Sequence, residues 1–238
     1  MTDVKKLSSL SVIFPAYNDG GTIASMISAA HIACRQVTDD FEIIVVNDGS
    51  SDYTGLILED MKRRCAELRV ISHTSNRGYG GALRSGFASA QKDWVFYTDG
   101  DAQYNPLELI ALVKALTAGV DAVNGYKSTR SDSLLRIVIG RSYHYLLKLL
   151  FRFRLRDVDC DFRLIPRLIL REINLASDSG AICLEMVKKI EDAGYRFAEV
   201  PVSHFPRKYG ISQFFRPRRI YDTLRQIAGL YWMLMRKR

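Results

Sequence analysis

Between residues 10 and 125, short runs that are apolar at nearly every position alternate with helical patterns, and this rhythm limits the fold more than any other feature. The runs 10–14, 41–46, 68–72, 93–98 and 120–125 read as strands; 22–34, 53–66, 81–90 and 106–118 read as helices. A strand without a polar face needs cover on both sides, so the pattern predicts an α/β protein with a mostly parallel sheet flanked by helices. Such sheets bind ligands at the carboxyl ends of their strands. Polar loops follow those ends at 15–19, 47–52, 74–78 and 98–103.

The most pointed of these loops is Thr98-Asp99-Gly100-Asp101-Ala102-Gln103. Two carboxylates one residue apart on extended backbone point the same way. At a strand end they can hold one hard divalent cation and leave coordination positions open for substrate phosphates. An ordinary Asp-Gly surface turn is the competing reading. Asp48, after the second strand, is placed to accept from a base N–H or a ribose hydroxyl, or else to cap the next helix. Asn76-Arg-Gly-Tyr-Gly-Gly-Ala-Leu-Arg84 brings glycines and arginines to a helix start, where amides can approach a phosphate. It is not G-x-G-x-x-G, and no such fingerprint follows the first strand, which argues against a dinucleotide-binding oxidoreductase. Arg207-Lys208-Tyr209-Gly210-Ile211-Ser212 reads as a mobile basic loop, either a diphosphate clamp or simply solvated charge.

The chain of 238 residues carries 34 basic and 26 acidic side chains, a formal charge of +8 that suits anionic partners. Cys34, Cys65, Cys160 and Cys183 are scattered without C-x-x-C spacing, so their spacing indicates neither a zinc site nor a disulfide framework and fits a reduced, cytoplasmic setting. The first residues lack the apolar core of a secretory signal, and no apolar run reaches the ~20 residues of a spanning helix. After residue 126 the rhythm breaks. Residues 134–156 hold six basic residues and no acid, interleaved with Leu, Ile, Val and Phe. That is either a core helix with snorkelled basic stems or a helix lying among lipid headgroups. A short strand at 162–165, a helix at 182–193 and an edge strand near 196–203 follow. The tail from about residue 215 reads as a helix with Ile220, Leu224, Ile227, Tyr231 and Leu234 on one stripe. A basic nucleic-acid-binding module is the alternative from a different class, but no nucleic-acid motif is present, so no nucleic acid is expected as a partner.

Pro15-Ala-Tyr-Asn-Asp19, Val46-Asn-Asp-Gly-Ser50, Asn76-Arg-Gly78, Asp99-Gly-Asp101-Ala-Gln103, Asp157-Val-Asp-Cys-Asp-Phe-Arg163 and Arg207-Lys-Tyr-Gly-Ile-Ser212 follow one another in an order that resembles family 2 glycosyltransferases. The closest likeness is to the dolichol-phosphate mannose synthase-like, polyprenyl-phosphate branch. The resemblance implies a GT-A (Rossmann-like) domain over 1–213 and an amphipathic basic helix over 214–238. It implies an inverting hexosyl transfer from a nucleotide-diphosphate sugar, GDP-mannose or a UDP-sugar, with Mg²⁺ or Mn²⁺. The acceptor would be a polyprenyl or dolichyl phosphate, and the enzyme would sit peripherally on the cytoplasmic face of a membrane. A soluble or cell-wall hydroxyl acceptor is the alternative within the family.

Carried over by position, Pro15, Tyr17 and Asp19 line the nucleoside, with Asp19 where Glu is usual, and Asp48 contacts the base. Asp99 faces the nucleotide beside Gly100 and shares the metal with Asp101 and Gln103. Asp157 is the candidate catalytic carboxylate, grouped with Asp101 and Arg163. Lys127 and Arg141 match basic positions that handle phosphates, Arg207 matches the clamp, and Asn76, Arg84 and Lys208 join them as cofactor-binding candidates. Lys127 stands in place of an Arg and Gln213 in place of a Lys. A phosphate monoester is already mostly a dianion at neutral pH and needs no base, only cations to bring it beside another anion. Arg141, Arg163, Arg207 and Lys208 are the candidates, and Asp157 is then expected to orient them rather than remove a proton.

Overall fold

The computed structural model describes residues 6–128, 147–207, 209 and 217–235, the side chains of 217–220, 223 and 235 excepted. Arg141, Lys208, Gln213 and residues 134–146, which the sequence singles out, therefore lie outside the described residues.

Seven strands form one sheet: β1 (Leu10–Ala16), β2 (Phe41–Asn47), β3 (Leu68–Ser72), β4 (Trp94–Thr98), β5 (Ala122–Lys127), β6 (Phe162–Pro166) and β7 (Phe197–Val202). Their order is β3-β2-β1-β4-β6-β5-β7. β6 runs antiparallel to both its neighbours, and the other pairings are parallel. Helices accompany them: α1 (Ile23–Val37), α2 (Thr54–Arg64), α3 (Gly78–Ser89), α4 (Leu109–Lys114), α5 (Arg167–Glu172), α6 (Ala181–Asp192) and α7 (Pro217–Met235).

Alternation along each strand builds two cores at once. Leu10, Val12, Phe14, Ile43, Val45, Phe96 and Phe162 face α1 and α4, while Ile13, Ile44, Val46, Val95, Tyr97 and Ile165 face α3, α5 and α6. With both faces covered, β1 has no exposed residue, which is why it reads as an unbroken apolar run.

Two expected elements are displaced. The helix predicted over 106–118 is a 3₁₀ turn at Pro106–Glu108, capped by the Asn105 carboxamide oxygen accepting from Leu107 N at 3.1 Å, followed by the short α4. Val120 then still belongs to a turn, its amide donating to Thr117 O, so β5 begins two residues later than its apolar pattern suggests. Helix α5, directly after Pro166, had no counterpart in the sequence reading.

A third apolar cluster lies apart from the sheet and joins Leu147, Phe151, Phe153, Leu155 and Val158 to Leu184 and Val187 of α6 and to Ile227 and Leu230 of α7. Residues 147–151 are helical and 152–156 irregular, Arg152 taking φ 55, with Arg152, Arg154 and Arg156 exposed between buried Phe151, Phe153 and Leu155. Leu147, Phe151, Phe153 and Leu155 are thus core, against the headgroup-plane reading for those four, while Leu149 faces out. On α7, Ile227, Tyr231 and Leu234 of the predicted stripe pack inward, but Leu224 is exposed and Leu230 takes an inward place.

Candidate active site

The carboxyl ends of β1, β2 and β4 and the start of β6 converge on one cluster of acids. Asp99 and Asp101 leave β4 as the i, i+2 spacing demands, and Asp101 is almost completely buried. Ala102 takes φ 59, a left-handed conformation that a side chain makes unfavourable. That kink turns the Gln103 amide back to donate to Asp101 Oδ1 at 3.0 Å. Gly100 is pressed against the β1–α1 loop: a Cβ there would lie 3.2 Å from Pro15 O and 3.6 Å from Asp19 Oδ2. Asp19 accepts from the Tyr17 amide through Oδ2 at 3.0 Å.

A third acid joins them, and it is Asp161. Its charge, with that of Asp101, holds the Asp99 carboxyl well above the usual range after burial has done most of the work. Asp101 is raised too, by burial first, with Arg207 opposing and Asp161 adding to it. The Tyr79 hydroxyl donates to Asp99 Oδ1 at 2.7 Å, and the Cys183 thiol donates to Asp161 Oδ1 at 2.9 Å.

Asp157, the expected catalytic carboxylate, points elsewhere. Its Oδ1 accepts from Asp159 N at 3.2 Å and its Oδ2 from Lys127 N at 3.4 Å, while Asn124 Nδ2 donates to its backbone carbonyl at 3.0 Å. It shapes the 157–161 loop and sits beside the Lys127 chain, whose Nζ donates to Asp159 O at 3.1 Å. Burial would lower the Lys127 ammonium; Asp157 and the neighbouring acids outweigh it and hold it raised. Strand alternation could not separate Asp161 from Asp157, because 157, 159, 161 and 163 all fall on one side of an extended chain.

Arg163 is corrected as well. Its side chain is completely buried, donates to Tyr97 Oη, Asn124 Oδ1 and Val158 O, and stands 3.7 Å from Asp161 Oδ1. It is a positioning residue beneath the site, its guanidinium held inside the sheet by these three bonds and closed off from solvent. We expect Asp161→Asn to lower turnover at least ~10²-fold and Asp157→Asn to lower it much less, measured as kcat under saturating donor. Equal losses would restore Asp157 to the reacting centre.

Arg207 lies over the acids. Its guanidinium pairs with Asp101 Oδ2 and stands 3.7 Å from Asp19 Oδ1. Asp19 Oδ1, Asp101 Oδ2 and Arg207 Nε are buried without an aligned hydrogen bond, so the contact neutralises charge without satisfying the oxygens. Tyr209 continues the strap, its ring against Gly21 and 6.0 Å from that of Tyr53. Gln103, expected on the metal, instead ties this strap down: its Nε2 donates to Phe205 O at 3.1 Å, and its carbonyl accepts from Phe205 N at 2.8 Å.

Orphaned oxygens on clustered, charge-raised carboxyls are the arrangement a hard divalent cation relieves, so the residues present fit Mg²⁺ or Mn²⁺. The Asp19 carboxyl is pushed up from 3.8 to about 6, chiefly by burial, with the Tyr17 amide opposing and Asp101 adding. The folded chain therefore holds that proton more tightly than the unfolded one, and the stability this confers is lost as pH rises from 3.8 toward 6. Cation binding requires the deprotonated cluster. The rise in melting temperature with Mn²⁺ is expected to be larger at roughly pH 7.5 than at roughly pH 5; a pH-independent rise would refute it.

On the nucleoside side, Asp48 is not the helix cap; Asp52 Oδ1 accepts from Thr54 N at 2.9 Å instead. Nor is Asp48 free. Its Oδ1 meets His73 Nδ1 at 2.7 Å and accepts from Arg77 N at 2.8 Å, and His73 Nε2 reaches Ser85 Oγ at 2.9 Å. His73 was not singled out from the sequence, although it opens the polar loop after β3. Asn76 holds the Asp48 carbonyl through Nδ2 at 3.2 Å. The glycine-rich start of α3 is covered by protein: Gly80 N donates to Asp178 O at 2.9 Å, and Arg84 pairs with the Asp178 carboxylate. Arg84 thus pairs with Asp178 while its Nε stays buried without a hydrogen bond.

A buried acid cluster at the carboxyl ends of a mostly parallel sheet, with a basic strap over it, is the architecture of a GT-A fold. A family model, Glycosyl transferase family 2, matches residues 11–174. The chain belongs to that family. It is 28% identical over 216 residues to the undecaprenyl-phosphate 4-deoxy-4-formamido-L-arabinose transferase of Edwardsiella ictaluri, and 29% identical over 220 residues to that of Proteus mirabilis. Each match covers 90% of this chain, which spans only 65% of the length of these curated relatives. Among solved structures, it resembles glucosyl-3-phosphoglycerate synthase from Mycobacterium tuberculosis, in complex with Mn²⁺, UDP and its glucosyl product, with TM-score 0.71 and 19% identity over 95% of this chain and 79% of that one. It also resembles a Pyrobaculum calidifontis mannosyltransferase in complex with GDP-Man and Mn²⁺, with TM-score 0.67 and 20% identity over 92% and 64%.

Proposed function

We propose that this chain transfers a sugar, with inversion, from a nucleotide-diphosphate sugar to a polyprenyl phosphate. The observation that carries the reading is the convergence of Asp99, Asp101 and Asp161 under Arg207 at the strand ends. The polyprenyl-phosphate relatives support the acceptor class.

Asp48, held through Oδ1 by His73 and the Arg77 amide, would use its second carboxylate oxygen on a base or ribose. Asp99 and Asp101 would hold Mg²⁺ or Mn²⁺ with Asp161 beside them. When bound, the cation supplies charge neutralisation for the leaving diphosphate. Arg207 lies over the same carboxylates, so it is placed to exchange Asp101 for donor phosphate oxygens and close the site against water. The acceptor phosphate attacks the anomeric carbon opposite the diphosphate as a dianion, which removes the need for a protein base. Lys127 stays charged at the end of β5 and can draw the acceptor in.

Membrane association belongs to this proposal. No helix among the described residues is long and apolar enough to cross a membrane. The outer face of α7 exposes Tyr221, Leu224, Trp232 and Met233, and Leu149 is exposed beside Arg152. Aromatic and aliphatic side chains among arginines suit the headgroup boundary of an anionic leaflet. The full chain is to be incubated with Mn²⁺, labelled UDP- and GDP-sugars and a short polyprenyl phosphate. Label entering the organic phase is expected. Donor hydrolysis alone, or transfer only to water-soluble acceptors, would overturn the reading.

A further inference from the structure

At the end of the sheet opposite the acid cluster, three side chains of different chemistry meet. His31 projects from α1, Cys65 terminates α2, and Glu67 sits one residue before β3. Glu67 Oε2 is the common point: His31 Nε2 is 3.5 Å from it and Cys65 Sγ is 3.6 Å from it. All three candidate donor atoms lie within 4.8 Å of one another. We propose that His31, Cys65 and Glu67 form a zinc-binding site, separate from the catalytic cation site, that staples α1 to the α2–β3 turn.

The distances fit the ion. Zn–S of about 2.3 Å and Zn–N or Zn–O of about 2.0–2.1 Å at tetrahedral angles place donor atoms about 3.3–3.6 Å apart. The two separations to Glu67 Oε2 fall in that range before any adjustment. Donor type points the same way: one imidazole, one thiolate and one carboxylate suit a borderline-soft ion, whereas the all-oxygen cluster on β4 suits Mg²⁺ or Mn²⁺. Cys65 is buried, while the His31 and Glu67 side chains each keep 29% exposure, so a fourth position opens to water. The His31 ring is already oriented, resting edge-on against Phe41 with centroids 5.3 Å apart. Binding replaces the Cys65 S–H with S–Zn and releases that proton to solvent. Arg35 is the nearby cation that acts on Glu67 and opposes the ion. The thiol of fully buried Cys34 is pushed up to about 12, by burial first, with Cys65 and Glu67 adding to it.

The linear spacing hides such a site, because His31 and Cys65 come from different helices and no short motif joins them. Its position at the amino ends of β2 and β3 assigns it to stability rather than transfer.

Co²⁺ is the probe, added to metal-free protein at one equivalent beyond saturation of the acid cluster by Mg²⁺. A thiolate-to-Co²⁺ charge-transfer band with tetrahedral visible absorption is expected, unchanged in Asp101→Asn and absent in Cys65→Ser. Zn²⁺ is expected to compete it away. His31→Gln and Glu67→Gln, at half-exposed positions that keep the fold, should each weaken Zn²⁺ at least ~10-fold and remove the Zn²⁺-dependent rise in melting temperature. Their Mn²⁺-supported transfer should be unchanged. Absence of the thiolate band, or Zn²⁺ affinity indifferent to both Gln variants, would overturn the site.

Discussion

Asp101→Asn is expected to reduce sugar transfer on the order of 10³-fold while leaving the protein as resistant to heat as before, or more so. Losing a cation's grip on a developing diphosphate costs several kcal/mol of transition-state stabilisation, and each ~1.4 kcal/mol is tenfold in rate. Stability moves the other way for a local reason. Asp101 is buried, its carboxyl is raised by that burial, and Asp161 adds repulsion. The Asn carbonyl can still accept from Gln103 N, so the kinked turn at Ala102 persists. What goes is a buried charge and its pairing with Arg207, a side chain still 28% exposed. Steady-state kinetics beside a thermal melt would check both halves. Turnover within tenfold of wild type would dismiss the cation-centred site, and a large drop in melting temperature would show that the cluster holds the fold instead.

Arg163→Met should have the largest effect on stability, about 3–5 kcal/mol, the range for removing one partner from a buried ionic network. The guanidinium has three separate tasks inside β6, on Tyr97, Asn124 and the Val158 carbonyl, besides facing Asp161. Methionine fills similar volume but takes the guanidinium donor from the Val158 carbonyl, the Asn124 carboxamide oxygen and the Tyr97 hydroxyl, inside the sheet. Lysine keeps the charge and cannot fork three ways. Urea unfolding monitored by circular dichroism measures the loss; a difference under ~1 kcal/mol would mean the network is ornamental.

How much of this was legible beforehand differs by residue. The strands declared themselves because both their faces are covered, which leaves an apolar run that hydration cannot explain otherwise. Asp99 and Asp101 declared themselves through an i, i+2 spacing at a strand end. Asp157 and Asp161 were not distinguishable that way: both lie in one acid-rich motif, and which of them faces β4 depends on the antiparallel pairing of Tyr97 with Arg163. Arg163 read as a phosphate ligand because charge suggests a surface, and its burial emerged only from the insertion of β6 between β4 and β5. Arg84 was drawn off by Asp178, nearly a hundred residues away in the chain.

Local chemistry, then, settled the element types, the parallel architecture and the acidic strand end, since periodicity and turn composition act over a few residues. Partnership was settled by folding: Asp161 over Asp157, Gln103 on the strap, His73 behind Asp48, and His31 beside Cys65 and Glu67. Each of these joins residues whose separation along the chain carries no record of their distance in space.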